Sequence, residues 1–301
     1  MCPRDIKFNN LGFTLVELLV VISVIGILAS TVLVNLGGMR QKANIAQSKT
    51  FAASIQQKVG IDIAGAWNFD DGAGLAALDV SGLNNNGTLA GSPAWAPEVS
   101  CVSGGCLSFD GTDDYVSLGS QITLGSEYTV EAWVNIPSSI LNSNARNVIS
   151  FGAGSDSFPK LSPCYWTQYK PLIYLNGSNY RYGRTDLRDD KWHHIVFVVT
   201  GGQISDIFND KIYVDGKEER YYSTSSTQAP VLPTGNGWIG GGRFPGLMDE
   251  VKIYGVVFSV SRVRENYLAG LDKLLASGRI TPSDYRQRLS LLNSTYAANK
   301  E

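Results

Sequence analysis

Between Lys7 and Arg40 the chain carries a single charge, Glu17. The apolar run from Leu11 to Met39 exceeds the ~20 residues that a helix needs to cross a bilayer. A secretory signal peptide has a shorter apolar region with a small-x-small cleavage site behind it, whereas here Gly12 stands before the apolar run. An ordinary N-terminal anchor explains the hydrophobicity and leaves Glu17 unexplained. A carboxylate near the membrane interior is costly and normally has a partner.

The rest of the chain is of another kind. In 301 residues there are 25 Lys+Arg against 27 Asp+Glu, a balance without the basic excess of a nucleic-acid binder. Glycine is abundant (32 residues) and only 17% of residues are charged, which suits an extracellular β-rich domain. The two histidines, His193 and His194, are adjacent, which argues against a His-rich metal site.

The residues "GFTLVELLVVISVIGILA" resemble the N-terminus of type IV pilins and pseudopilins. In that family a prepilin peptidase cuts after the glycine. The resemblance implies cleavage after Gly12, N-methylation of Phe13 as the new first residue, and an assembly role for Glu17 at the fifth mature position. A charge in an apolar filament core is expensive unless paired. The α-amino group of a neighbouring subunit's Phe13 would pair with Glu17 and set the axial register. Many pilins of this family have a proline where this chain has Val34, and Gly37-Gly38 follow instead. Glycine weakens a helix by about 1 kcal/mol relative to alanine, so a kink or break is expected there. Ile45, Ala52, Ile55 and Val59 then recur at helical spacing up to Gly60. The expected units are a leader (1–12) and a pilin helix for membrane and filament core (13–60).

From Ile61 the sequence becomes short runs between turn residues. "YTVEAWVNI" (128–136) alternates, "HHIVFVVT" (193–200) is β-branched, and Asp215-Gly216 sits between two strand-like runs. "FDGTDDYV" (109–116) reads as a hairpin turn. Many short strands with regular turns indicate an antiparallel sandwich. "AWNFDDGAGLAALDVSGLNNNGTLAGSPAW", "LSFDGTDDYVSLG", "DKWHHIVFVV", "IYVDGK" and "PGLMDEVKIYG", in that order, are similar to concanavalin A-like jelly rolls of the laminin G, pentraxin and bacterial lectin type. The similarity covers residues 61–267. The fold class expected is therefore α+β: a long N-terminal helix, an antiparallel jelly-roll sandwich and a C-terminal helical hairpin. In related sandwiches the first and last strands pair. The resemblance then implies a structural Ca2+, with Asp79 and Asp249 foremost and Asp70 beside them; as turn-forming residues they need no metal.

Trp67, Trp133 and Trp192 fall in strand patterns and are expected in the core. Trp192-His193-His194 reads as a strand entry, since no nucleophile and carboxylate set accompanies it. Glycoside hydrolysis needs two carboxylates across the scissile bond. The Glu-x-Asp-x-x-Glu motif of hydrolases on this fold is absent, so no enzymatic role is expected. Cys101 and Cys106 flank "VSGG" and are expected to form a disulfide in an oxidising compartment. Cys2 would leave with the leader and Cys164 has no obvious partner. Residues 156–184 hold Tyr165, Trp166, Tyr169, Tyr174, Tyr180 and Tyr182 in a Pro- and Asn-rich stretch. Such aromatics contact sugars or proteins, and Tyr165, Trp166 and Tyr169 are the ligand-binding candidates; in the alternative, half of the aromatics alternate into the sandwich.

The tail (268–301) shows two helical patterns around Ser277-Gly278, with Thr281 as cap and Pro282 in the first turn. "LDKLLASGRITPSDYRQRLSLL" resembles a SHOCT-type helical hairpin. Leu271, Leu274 and Leu275 are expected to pack on Tyr285, Leu289 and Leu292.

Together these readings predict a structural subunit of a bacterial pilus-like filament with a lectin-like adhesive head. It would sit in the inner membrane as precursor and at the cell surface when mature. Its partners would be other copies or other pilins, the prepilin peptidase, and a glycan or surface protein, with no nucleic acid. The alternatives are a pseudopilin of a secretion or DNA-uptake machine, its head touching cargo, and a membrane-tethered hydrolase.

Overall fold

The computed structural model describes residues 15–16, 18–24 and 63–298, with 141–145, 153–158, 166–169, 177–178, 202–203, 225–235 and 242 excepted. The chain divides into two units, Met1–Gly60 and Ile61–Glu301. In the first, residues 15–16 and 18–24 are helical and exposed. Among the described residues no helix is long and apolar enough to cross a membrane. Gly12, Phe13, Glu17, the Gly37-Gly38 pair and the helix expected up to Gly60 lie outside the described residues.

Among its described residues the second unit is a sandwich of antiparallel sheets with two α-helices. One sheet runs β14 (Lys217–Glu218), β13 (Lys211–Val214), β12 (Trp192–Thr200), β7 (Glu127–Asn135), β17 (Pro245–Tyr254), β5 (Cys106–Asp110), β4 (Ala94–Ala96); β1 (Ile63–Trp67) pairs with β17 outside this path. The other runs β15 (Tyr222–Thr224), β11 (Asn179–Tyr182), β10 (Lys170–Asn176), β9 (Lys160–Tyr165), β8 (Ile149–Phe151), β16 (Asn236–Ile239), β6 (Tyr115–Gln121), β3 (Gly87–Ala90), β2 (Ala76–Ala77). Residues 109–116 are therefore not a hairpin. β5 pairs with β4 and β17, while β6 pairs with β3 and β16, so the turn over residues 111–114 carries the chain from one sheet to the other.

Period-two alternation explains how the first sheet is covered on both sides. Along β7, Tyr128, Val130, Ala132 and Val134 enter the core between the sheets, with Ile195, Phe197 and Val199 of β12 beside them. The alternate residues Thr129, Glu131 and Trp133 are also buried, because helix α1 (Val260–Ala276) covers the outer face. This helix begins well before residue 268. Ser259 caps it, accepting a bond from the Arg262 amide at 3.3 Å. Helix α2 (Pro282–Ala298) follows a turn at Gly278, whose φ of +71° favours glycine. Thr281 and Asp284 cap it reciprocally: the Asp284 amide donates to Thr281 Oγ1 at 3.1 Å and the Thr281 amide to Asp284 Oδ2 at 3.2 Å.

A second core lies beneath this helical pair. It gathers Cys101, Cys106, Trp133, Trp192, Tyr267, Leu271, Leu274 and Leu292, with Tyr285 and Leu289 packed against it. Trp67 is buried between the sheets, but Trp133 and Trp192 are buried here, on the sheet's outer face.

Candidate functional site

The β10–β11 hairpin organises the aromatic segment. Ile173 and Leu175 point into the main core, which turns Tyr174 to the opposite face. On β11, Tyr180 and Tyr182 flank Arg181. The Arg181 guanidinium lies 3.5 Å over the Tyr221 ring and donates to the Ile207 carbonyl at 3.2 Å. The register sets Tyr174 opposite Tyr180, and Tyr182 opposite Tyr222 of β15.

The result is a strip of four tyrosines. Centroids of Tyr174 and Tyr180 are 6.3 Å apart in a T-shaped contact, those of Tyr180 and Tyr182 are 6.0 Å apart and stacked, and those of Tyr182 and Tyr222 are 5.2 Å apart and stacked. Tyr222 is 47% exposed; Tyr174, Tyr180 and Tyr182 are half-buried. At the Tyr222 end, the Arg184 guanidinium lies 4.7 Å and the Lys170 ammonium 6.0 Å from the ring centroid. Burial, then the Tyr180 phenol, raises Tyr174 above the ordinary 10, so this hydroxyl is neutral at physiological pH.

Of the three ligand candidates from the sequence, Tyr165 ends β9 and pairs through its backbone with Lys170 at the edge of the strip. Trp166 and Tyr169 lie outside the described residues. Tyr222 and Arg184 escaped the sequence reading. Tyr222 comes from β15, and only strand order makes it a neighbour of Tyr182, whereas Arg184 follows Tyr182 by two residues and lacked a partner in the sequence to mark it.

The carboxylates named for calcium have other partners. Asp79 Oδ1 accepts the amides of Ala66 and Ser81, at 2.9 and 2.8 Å, and its Oδ2 accepts Asn85 at 2.9 Å. Asp70 Oδ1 accepts Gly105 at 2.8 Å. Asp249 Oδ2 accepts Val102 and Ser103 at 2.9 and 3.2 Å. Asp70 and Asp249 thus grip the loop closed by the Cys101–Cys106 disulfide, while Asp79 ties a different loop to β1. Asp249 Oδ1 is buried without a hydrogen-bond partner among the described residues, and burial, then Glu250, pushes this carboxyl well above its usual range.

A different acidic group forms at the turn between the sheets. Ligand oxygens of Asp110, Asp113 and Asp114 lie within 4.8 Å of one another. Asp114 is buried and accepts the Asp110 amide at 2.8 Å; burial raises its pKa, and the charges of Asp110 and Asp113 add to the rise. An all-oxygen donor set whose charges repel one another fits a hard cation.

His193 bridges two carboxylates, with Nδ1 2.8 Å from Asp215 Oδ2 and Nε2 2.9 Å from Asp189 Oδ1. Burial opposes its charge, but Asp215 and Asp189 outweigh burial and hold it at about 9. Both ring nitrogens are occupied, so His193 has no nitrogen free for proton transfer. It lines a cleft of about 590 Å³ between α2 and the sandwich, with Asp189, Arg279 and Arg288. There Arg288 donates to the Trp192 carbonyl at 2.8 Å and Arg279 to the Glu98 carbonyl at 3.0 Å.

Residues 110–264, just over half of the chain, match the family model of the concanavalin A-like lectin/glucanases superfamily. The chain belongs to this superfamily. Residues 7–33 match the prokaryotic N-terminal methylation motif, the signal of type IV prepilins. Among solved structures, domain 4 of AbnA, a GH43 extracellular arabinanase from Geobacillus stearothermophilus in complex with arabinotriose, is similar at 20% identity and a TM-score of 0.53, over 68% of this chain and 98% of that one. Trypanosoma rangeli sialidase in complex with sialic acid aligns at 16% identity and a TM-score of 0.44, over 69% of this chain and 33% of that one. The botulinum neurotoxin serotype D binding domain aligns at 12% identity and a TM-score of 0.45, over 70% and 53%. At these identities the likeness concerns the concanavalin A-like fold alone. No curated protein matches the chain.

Proposed function

We propose that the protein is a type IV pilin-like filament subunit that displays a glycan-binding head. The observation that carries this reading is the joining, in one chain, of a prepilin methylation motif at residues 7–33 to a concanavalin A-like domain. On this reading the inner membrane holds the precursor through its N-terminal segment, prepilin peptidase cuts after Gly12, and Phe13 becomes the methylated N-terminus. Glu17 then pairs with the Phe13 amino group of the next subunit. The tyrosine strip is the contact surface for a glycan on the cell exterior.

The head is further proposed to take one Ca2+ ion at Asp110, Asp113 and Asp114, where it would brace the turn between the sheets. The earlier candidates Asp79, Asp70 and Asp249 spend most of their oxygens on backbone amides, which supports a role in shaping loops.

The test is the mass of the N-terminal peptide from filaments sheared off cells. A peptide beginning at Phe13 and heavier by one methyl group supports the reading, and Glu17→Ala is expected to remove the subunit from the sheared fraction. A peptide beginning at Met1, found only in membranes, refutes it.

A further inference from the structure

We infer that the tyrosine strip selects anionic polysaccharides over neutral ones. The inference rests on the glycan-binding reading of the head and adds the class of ligand.

Aromatic residues hold neutral sugars chiefly by presenting an open ring face to the C–H side of the sugar. Here those faces are largely used up. Tyr180 stacks on Tyr182, Tyr182 on Tyr222, and Arg184 covers Tyr222. What the strip offers outward is ring edges and phenol hydroxyls. Those of Tyr180, Tyr182 and Tyr222 have no hydrogen-bond partner among the described residues. Each can donate to an oxygen anion or share bonds with a sugar hydroxyl.

The second observation is charge. Lys170 and Arg184 stand at the Tyr222 end, and neither has a carboxylate partner among the described residues. The acidic groups nearby are already engaged. Glu219 Oε2 accepts the backbone amides of Arg184 and Thr185, at 2.6 and 2.9 Å, and its Oε1 accepts the Thr185 hydroxyl at 2.7 Å. Two cations beside a row of hydroxyl donors complement a polymer that carries both carboxylates and hydroxyls. A nucleic acid would need a longer basic stripe, and this chain's net charge is −2.

The experiment uses the full chain in detergent micelles. Binding to alginate, a polyuronate, is compared with binding to dextran and to duplex DNA at two salt concentrations. Alginate is expected to bind, with affinity falling as salt rises. The double variant Lys170→Gln/Arg184→Gln is expected to weaken alginate binding by about tenfold or more, the scale of two charge-assisted contacts. Tyr182→Phe, which keeps the stack and loses a hydroxyl, is expected to weaken it less. Equal binding of dextran, unmoved by the double variant, overturns the inference and leaves the glycan reading standing. Tighter binding of DNA than of alginate also overturns it. A folded protein that binds neither polysaccharide refutes both readings.

Discussion

Gly270 shows how a single residue sets the seating of a helix. It lies inside α1, where glycine costs about 1 kcal/mol relative to alanine. A Cβ there would fall 2.3 Å from Cζ2 of Trp133, so its absence lets the helix backbone rest on the indole. Gly270→Ala is expected to gain helix propensity and lose more through overpacking, about 1–3 kcal/mol. The net effect is a melting point lower by several degrees, read by thermal unfolding. Asp114 gives a second prediction at this scale. If the three-aspartate group takes calcium, Ca2+ raises the melting temperature over a chelator control, and Asp114→Asn removes that gain. An unchanged melt would remove calcium from the proposal. The hairpin expected at residues 109–116 was wrong because an Asp-Gly turn looks the same in sequence whether it joins neighbouring strands or crosses between sheets.

At the scale of elements, α1 is held by charges as well as by apolar contacts. In β17 the register slips between Asp249 and Lys252, and Glu250 has a φ of +51°. Met248 and Val251 both enter the core, so this bulge sends two acidic side chains in succession away from it. Glu250 meets Lys252 at 2.7 Å and Lys273 of α1 at 2.6 Å. Glu131, on β7, accepts Tyr254 at 2.9 Å and Asn266 of α1 at 2.7 Å. Burial pushes both carboxyls up. For Glu131, hydrogen bonding to His194 and the Lys252 charge more than offset it; for Glu250, Lys252 and Lys273 do. Each is held at about 2, against an ordinary 4.5. Their contribution is present above pH 4.5 and lost as pH falls toward 2. His193 works in the other direction. Held at about 9 against 6.5, it stabilises fully below pH 6.5 and loses that contribution as pH rises through 9. Melting temperature against pH should therefore show a plateau between these limits. Glu131→Gln should flatten the acid limb and His193→Gln the alkaline one. None of this was legible from the sequence. Period-two alternation marks Glu131 as facing away from the core, but only the helix laid over that face turns an outward carboxylate into a buried one.

On the scale of the whole molecule, the disulfide joins the sandwich to its helical pair. Cys101–Cys106 closes a short loop, worth about 2 kcal/mol in chain entropy. Its sulfurs also line the second core with Trp133, Trp192 and Leu274. Cys101→Ala/Cys106→Ala should therefore cost more than the loop entropy alone, and limited proteolysis should find α2 released first. Most of the architecture was readable, because ordered turn residues and alternating strands record a sandwich directly. The split of buried tryptophans between two cores was not, since alternation alone does not say what covers an outer face. The same architecture has a mechanical side. Among the described residues β1 is the first strand after the N-terminal segment, and its one ladder partner is β17. On the proposed filament reading, tension from the N-terminal segment is expected to reach this five-residue strand before the other described strands. Beyond its ladder, the strand is fastened by Asn85 to the Ala64 carbonyl at 2.8 Å, by Asp79 to the Ala66 amide at 2.9 Å and by the buried Trp67 side chain. On the filament reading, the loop around Asp79 is expected to act as a strain relief, its hydrogen bonds resisting the first unravelling of the head.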